Sequence, residues 1–397
     1  MKRSTTHILT THTGSLPRPT DLVDMVLRKE EKQRVDEAVL AMRVRSAVAE
    51  VVRRQAEVGV TVLNDGEQGK PGYSTYMKDR LTGFEGESTA AAVSGEAKDF
   101  PEYTARRTGR AAPKRPACTG PIAWKDRDAV RKDIENLQAA VKEVEAEEVF
   151  MTAASPGVVP HFMKDQYYGS EEKYLYALAD ALKEEYDAIH RAGFVLQLDC
   201  PDLCMSRHNR FSDLSTKEFK KIAELHVAAL NHALRDIPAD RVRLHMCWGN
   251  YEGPHHLDIP LTEIIDLALK AKVGALSFEG ANPRHEHEWV VFKEVHLPDG
   301  LAIIPGVIDS TTNFIEHPEL VAQRIVRYAE VVGRENVIAG TDCGFGTFVR
   351  TEPTIDPRIA WAKLKSLAEG AAIASKKLWN YSRHQISWAT PFTPMRA

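Results

Sequence analysis

Short apolar runs alternate along this chain with longer stretches whose apolar positions recur every three or four residues. The first pattern marks buried strands and the second amphipathic helices. Strands are expected at His7–Thr11, Val60–Asn64, Glu148–Ala153, Phe194–Asp199, Arg241–Cys247, Val273–Glu279, Leu301–Val307 and Asn336–Cys343. Helices are expected at Lys32–Glu57, Asp126–Ala146, Glu171–Ala192, Thr216–Leu234, Leu261–Ala271, Pro318–Val332 and Arg358–Lys376, with a short one at Glu286–Lys293. In Thr216–Leu234, Phe219, Ile222, Ala223, Val227 and Leu230 form one stripe, suited to packing on a sheet. Repeated strand–helix units imply a parallel sheet, and eight of them imply an α/β fold of the (β/α)8, or TIM-barrel, type. A doubly wound open sheet is the alternative, but no G-x-G-x-x-G turn follows the first strand.

One segment breaks the alternation. Gly69–Trp124 is rich in Gly, Pro, Thr and charge, and its second part, Thr104–Ile122, reads as extended or hairpin-like. We take 1–397 as one barrel domain, with 69–124 as an irregular insertion or lid between the second strand and the next helix.

Composition narrows the class. The 397 residues are 43% hydrophobic and 27% charged, an ordinary globular profile. A formal net charge of −4 gives no reason to expect nucleic acid or an anionic membrane as partner. No apolar run approaches the ~18 residues that span a bilayer. The N-terminus, MKRSTTHILTTHTGSLPRP, has no apolar core of the secretory kind. Five scattered cysteines argue against a disulfide framework, so a cytoplasmic location is expected. No coiled coil or apolar seam fixes an oligomeric state, and a homo-oligomer stays open.

The polar residues cluster where barrel enzymes keep their chemistry, at the C-terminal ends of the strands. Those ends carry Gly14 and Ser15, Asp65 and Glu67, Ser155, Asp199, His245 and Cys247, Glu279, Asp309, and Asp342 and Cys343. A strand's period of two sets His245 and Cys247 on one face. One imidazole, two thiolates and the carboxylate of Glu279 make a ligand set that suits Zn2+. Such an electron-rich ion activates a thiol better than water. Glu67, Asp199 and Asp309 could grip a substrate ammonium or act as base; helix capping is the alternative for each. Gly14 and Ser15 could offer N–H groups to a carboxylate or sulfonate, or could form a plain turn before Pro17. Cys200 and Cys204 read as buried thiols, and His285 and His287 as facing different sides of a helix. His161 and His208 fall in loops near the substrate end, with Tyr73, Tyr76 and Trp124 as candidate wall residues.

The motifs THTGSLPRP, DGEQ, LDCPDL, HMCWGN, FEGANPR, GVIDS and TDCGFGT, spread from about Thr10 to Cys343, resemble the catalytic domain of cobalamin-independent methionine synthases and their short relatives, including epoxyalkane:coenzyme M transferase. The resemblance implies a (β/α)8 barrel, zinc on His245, Cys247, Glu279 and Cys343, and attack of a bound thiolate on an electrophilic carbon. It further implies that Glu67 and Asp199 hold the amino group of homocysteine and that Gly14 and Ser15 bind its carboxylate. The chain departs from the synthases on the other side of the site. Asp309-Ser310-Thr311 replaces their Asp-x-His, and Asp199-Cys200-Pro201 replaces Asp-Glu-Pro. Methyltetrahydrofolate as donor is therefore open. Three activities follow, each on small molecules: thiol methylation, epoxide opening by a thiolate, and a lyase or binding role toward a sulfur compound.

Overall fold

The computed structural model describes residues 1–88, 94–108 and 115–380. Eight strands follow in order: β1 (Leu9–Thr10), β2 (Val62–Leu63), β3 (Glu148–Ala154), β4 (Val195–Asp199), β5 (Val242–Met246), β6 (Ala275–Phe278), β7 (Ala302–Ile308) and β8 (Ile338–Thr341). Their spatial order is β1-β8-β7-β6-β5-β4-β3-β2, every pairing parallel. The sheet is open only between β1 and β2. There the Thr61 N–H and hydroxyl both donate to the Thr10 carbonyl, at 3.2 and 3.1 Å. The (β/α)8 expectation holds.

The expected helices form for local reasons. Glu37–Glu57 starts five residues later than the periodicity suggests, because the Asp36 side chain accepts from the Ala38 and Val39 amides. Thr216–Ala233 opens with a capping box between Ser215 and Glu218, and buries Phe219, Ala223, Val227 and Leu230. Glu286–Lys293 winds as tighter 3-10 turns. Thr20–Glu30 was not anticipated; it buries Leu22 and Val26 one turn apart.

The insertion differs from its expected form. Of the expected extended stretch Thr104–Ile122, the part from Thr104 to Thr108 belongs to a helix, Pro101–Thr108. Residues 109–114 lie outside the described residues. Proline favours a first helical turn, where its missing N–H costs nothing, and Pro101 opens this one. The later part is extended: Arg115–Cys118 pairs antiparallel with Gly86–Ser88 and parallel with Lys164–Asp165.

The barrel interior is apolar at the bottom and polar toward the top. Leu9, Val62, Phe150, Val195, Ala275, Ala302, Ile304 and Ile338 make the lower layer. Above it, buried Arg243 donates to Gln197 Oε1 (2.7 Å), Thr11 Oγ1 (3.0 Å) and the His12 carbonyl (2.8 Å), with its guanidinium 3.5 Å over the Phe150 ring. Gln197 in turn donates to Asp199 Oδ1 at 2.8 Å. These bonds tie the strand cores to the mouth where the candidate residues lie.

Candidate metal centre and substrate cavity

His245 is the penultimate residue of β5, and Cys247 follows the strand directly. Cys343 follows β8. The parallel register brings these strand ends together, and one ligand atom each from His245, Cys247 and Cys343 falls within 4.8 Å of the others. Cys343 Sγ lies 3.8 Å from His245 Nε2. The other imidazole nitrogen, Nδ1, meets Ser277 Oγ at 3.2 Å, which fixes the ring.

Glu279 stands beside this trio rather than within it. Its Oε1 is 3.7 Å from Cys343 Sγ and accepts from the Trp248 amide at 2.7 Å, while Oε2 accepts from Asn282 Nδ2 at 2.7 Å. Asp342 shapes the same turn. Its carboxylate accepts from the amides of Gly280, Ala281 and Asn282 at 2.8, 2.8 and 2.9 Å. Ser310 Oγ accepts from the Cys343 amide at 3.1 Å and donates to Asn250. Trp248, Asn282, Ser277 and Ser310 are supporting residues that sequence reasoning missed. Trp248, Asn282 and Ser310 sit in the HMCWGN, FEGANPR and GVIDS motifs, which were the available signal; Ser277 falls in none of them.

Electrostatics in this pocket disfavour bare thiolates. Burial, then the neighbouring Cys247, pushes the Cys343 thiol well above its usual range. Burial lowers His245 to about 3, with Arg243 adding to the effect, so its imidazole is neutral. Burial raises the Glu279 carboxyl, and burial with nearby Glu279 raises Asp342 to about 7. Two thiols, a neutral imidazole and a carboxylate packed together lack only a cation, and the donor set fits one that takes sulfur and nitrogen.

A cavity of about 350 Å³ opens onto these residues. Cys247, Cys343 and His245 share its wall with Thr13, Ser15, Glu67, Asp199 and Tyr73. Glu67 is buried and has a left-handed backbone, φ 55°. Its Oε1 accepts from the Thr152 hydroxyl at 2.8 Å, and its Oε2 has no hydrogen-bond partner. Gly14 lies against it: a Cβ there would come within 2.9 Å of Glu67 Oε1 and 2.6 Å of Thr152. At φ +140° this turn requires glycine. Burial and then Glu67 raise the Asp199 carboxyl to about 8. Burial raises Asp65 to about 6.

Not every expected wall residue reaches the cavity. Asp309 is spent on its own turn. Its Oδ1 accepts from the Thr311 amide and hydroxyl at 2.9 and 2.8 Å, its Oδ2 from those of Thr312 at 3.0 and 2.5 Å, and it does not line the cavity. This closes a turn rather than capping the following helix, which begins at Pro318 with His317 as its N-cap. His161 and Tyr73 line the wall, whereas Tyr76 bonds to Glu185 and Trp124 to the Ala181 carbonyl. Cys200 and Cys204 are buried free thiols. His285 is buried and His287 exposed, as opposite helix sides require. The insertion contributes Ser94, Glu96 and Arg115 to the cavity wall.

A (β/α)8 barrel with thiols and an imidazole gathered at its C-terminal mouth defines the class: a barrel enzyme with a metal-capable, sulfur-rich centre. Residues 160–356 match the family model described as the cobalamin-independent synthase catalytic domain. The chain is 24% identical over 366 residues to a methionine synthase of Thermococcus kodakarensis, covering 92% of this chain and 93% of that one. It is 26% identical over 381 residues to a methionine synthase of Sulfolobus acidocaldarius, covering 95% of each. A 2-hydroxypropyl-CoM lyase of Xanthobacter autotrophicus is 23% identical over 375 residues, covering 87% of this chain and 89% of that one. The solved structure of a B12-independent methionine synthase from Shewanella sp. W3-18-1, in complex with selenomethionine, shares the fold. Its TM-score is 0.72 at 20% identity, with 94% of this chain and 99% of that one covered. The chain belongs to the cobalamin-independent methionine synthase family, in its catalytic-domain type. Among the described residues no helix is long and apolar enough to cross a membrane.

Proposed function

We propose that this enzyme is a zinc-dependent thiol S-alkyltransferase that methylates homocysteine. The observation that carries the reading is the shared cavity. The His245, Cys247 and Cys343 cluster and Glu67, one of whose carboxylate oxygens is unpartnered, line one space large enough for a small amino acid and part of a donor. His245, Cys247 and Cys343 would hold zinc, with Glu279 beside Cys343 as the fourth ligand. Zinc held there would lower the pKa of an incoming thiol, so that the proton leaves to solvent and the sulfur stays nucleophilic.

The chain's own residues do the rest. Glu67 and Asp199 grip the homocysteine ammonium, and the Gly14–Ser15 turn faces its carboxylate. Trp248 and Asn282 keep both oxygens of Glu279 engaged, so the carboxylate stays aimed at the cluster. Sulfur then attacks the methyl carbon. A carbon–sulfur bond forms, the bond from methyl to donor breaks, and its electron pair leaves with the donor, which takes a proton. Asp309 has both oxygens committed to Thr311 and Thr312, so a base or acid role for it requires that turn to open.

Protonation gives a direct test. The folded Asp199 carboxyl titrates near 8, well above its usual 3.8. Between those values the folded chain holds a proton that the unfolded chain loses, so this group lowers stability as pH rises through that window. An ammonium beside it reverses the balance and drives the proton off. Calorimetric titration of zinc-loaded protein with homocysteine, in buffers of different ionisation enthalpy at pH 7, is therefore expected to report more than about one proton released: one from the thiol and part of one from Asp199. Asp199→Asn is expected to bring the count to about one. An unchanged count in that variant removes Asp199 from the ammonium grip.

A second reading is opening of an epoxide by the same sulfur. Similarity to the 2-hydroxypropyl-CoM lyase favours it, as does Thr311 where the synthases carry histidine. The acidic pair argues the other way, because a sulfonate thiol has no ammonium to hold. Thiol consumption that depends on added epoxide, and not on methyl donors, would replace the methyl-transfer reading.

A further inference from the structure

A second group of histidines and carboxylates lies on the far side of the cavity wall, where the insertion meets the loop after β5. Glu96 comes from the short helix Gly95–Asp99, His255 and Asp258 from that loop, and His208 from the loop after β4. One ligand atom each from Glu96, His255 and Asp258 lies within 4.8 Å of the other two. Donors that share one ion at about 2.1 Å stand roughly 3.4 Å apart in a tetrahedron, so the trio needs only a small inward adjustment.

The hydrogen bonding is incomplete at the same place. Asp258 Oδ2 meets His255 Nδ1 at 2.9 Å and His285 Nε2 at 3.0 Å. Asp258 Oδ1 stands 2.9 Å from His208 Nδ1 as an ion pair, although the two atoms are off-line for a hydrogen bond. Glu96 accepts from the Tyr251 hydroxyl through Oε2 at 2.6 Å, while its Oε1 is buried and unpartnered. Buried polar atoms are rarely left unpaired, because burial strips their hydration without replacing it. The Glu96 oxygen is left without a partner in a cluster of metal-ligating side chains, and a cation among them would satisfy it.

We propose that Glu96, His255 and Asp258, with His208 beside them, form a second divalent-metal site. Its donors are imidazole nitrogen and carboxylate oxygen without sulfur, a set that takes Zn2+, Co2+ or Ni2+. The site differs from the sulfur-rich centre in every ligand. Its position gives it a structural role. Glu96 and Tyr251 line the substrate cavity, and Tyr251 is four residues beyond Cys247. An ion there fastens the inserted helix to the loop that leaves the first centre. Existing bonds already run the same way, from the Gly95 amide to the His208 carbonyl (3.0 Å) and between His256 and Asp99 (2.9 Å).

Cobalt separates the two sites by colour, because only thiolate ligands give a strong near-ultraviolet charge-transfer band. Metal-free protein titrated with Co2+ is expected to take up about two ions per chain, one with that band and one without. Cys247→Ala/Cys343→Ala is expected to keep about one ion, visible by its d–d absorption alone. Adding Glu96→Gln and His255→Gln to that background is expected to abolish it. In the otherwise intact chain, Glu96→Gln alone is expected to lower total uptake to about one ion and leave the thiolate band unchanged. Circular dichroism checks that each variant is folded. No cobalt in the folded Cys247→Ala/Cys343→Ala chain, or uptake that survives loss of both Glu96 and His255, overturns the proposal. Absence of the thiolate band in the unaltered chain would count against the first centre instead.

Discussion

Cys343→Ala is expected to lose zinc from the sulfur-rich centre and to slow homocysteine methylation by at least about 1,000-fold. Two losses combine. A free thiol near ~8.5 is only about 3% ionised at pH 7, so losing the cation that ionises it costs roughly 30-fold in nucleophile. The sulfur also loses its anchor. Positioning of reacting groups is worth many more powers of ten when complete, so even partial loss supplies the remainder. The variant should keep the barrel. Cys343 lies just beyond β8, and the ladder bonds of that strand do not use its side chain. Zinc content by elemental analysis and methyl transfer from a panel of methyl donors check the outcome. A folded, metal-free variant with full activity would remove the metal from the mechanism.

Glu67→Gln is the second large effect, and it should fall on binding rather than turnover. Glutamine can still accept from the Thr152 hydroxyl, as Glu67 Oε1 does at 2.8 Å. What disappears is the negative charge that would meet the substrate ammonium. Breaking one side of a buried charge pair costs on the order of 2–5 kcal/mol, so KM for homocysteine should rise by about 100-fold or more while kcat changes far less. A matching thiol with no amino group separates the cause. The variant should treat it as the unaltered enzyme does, because that molecule never used the charge. An equal rise in KM for both thiols would mean that Glu67 shapes the cavity rather than reads the ammonium. The left-handed backbone at Glu67 has a bearing here, since a non-glycine residue held at φ 55° is strained and needs its surroundings to hold it. Glutamine keeps that backbone problem unchanged, which makes it the cleaner substitution.

The barrel was readable from the sequence because all eight strands are apolar runs bounded by turn residues, and because helices with a regular stripe separate most of them. The centre was readable for a related reason. In a parallel barrel every strand delivers its C-terminal residue to the same end, so His245, Cys247 and Cys343 converge whatever the details of the loops. Glu279 shows the limit of that reasoning. Its place at a strand end was legible, but its two hydrogen bonds, to Trp248 and Asn282, depend on how the β5 and β6 loops fold. Arg243 was hidden by its apolar neighbours. A charged side chain within a strand satisfies itself only through residues from β1 and β4, which sequence spacing does not bring together.

Local signals were overlooked where tertiary packing was weakest. Thr20–Glu30 has two buried side chains, too few to make a periodic stripe, although Pro19 ahead of it and Leu22 and Val26 one turn apart were cues. Pro101 likewise announced a helix in a stretch that its charge and threonines made look extended. The Glu96, His255 and Asp258 group could not be seen at all. His255 and Asp258 are close in sequence, but Glu96 precedes them by well over a hundred residues, and only the docking of the inserted helix onto the β5 loop brings the three together.

The central claim is that the substrate thiol becomes a ligand of a zinc ion held by His245, Cys247 and Cys343. X-ray absorption at the zinc edge counts sulfur neighbours directly, before and after homocysteine is added. Cys247 and Cys343 would supply two sulfurs to that ion, and the expected result is a rise to about three, read on Glu96→Gln protein so that zinc at the proposed oxygen–nitrogen site does not dilute the signal. A sulfur count that stays the same when homocysteine is demonstrably bound would contradict the account.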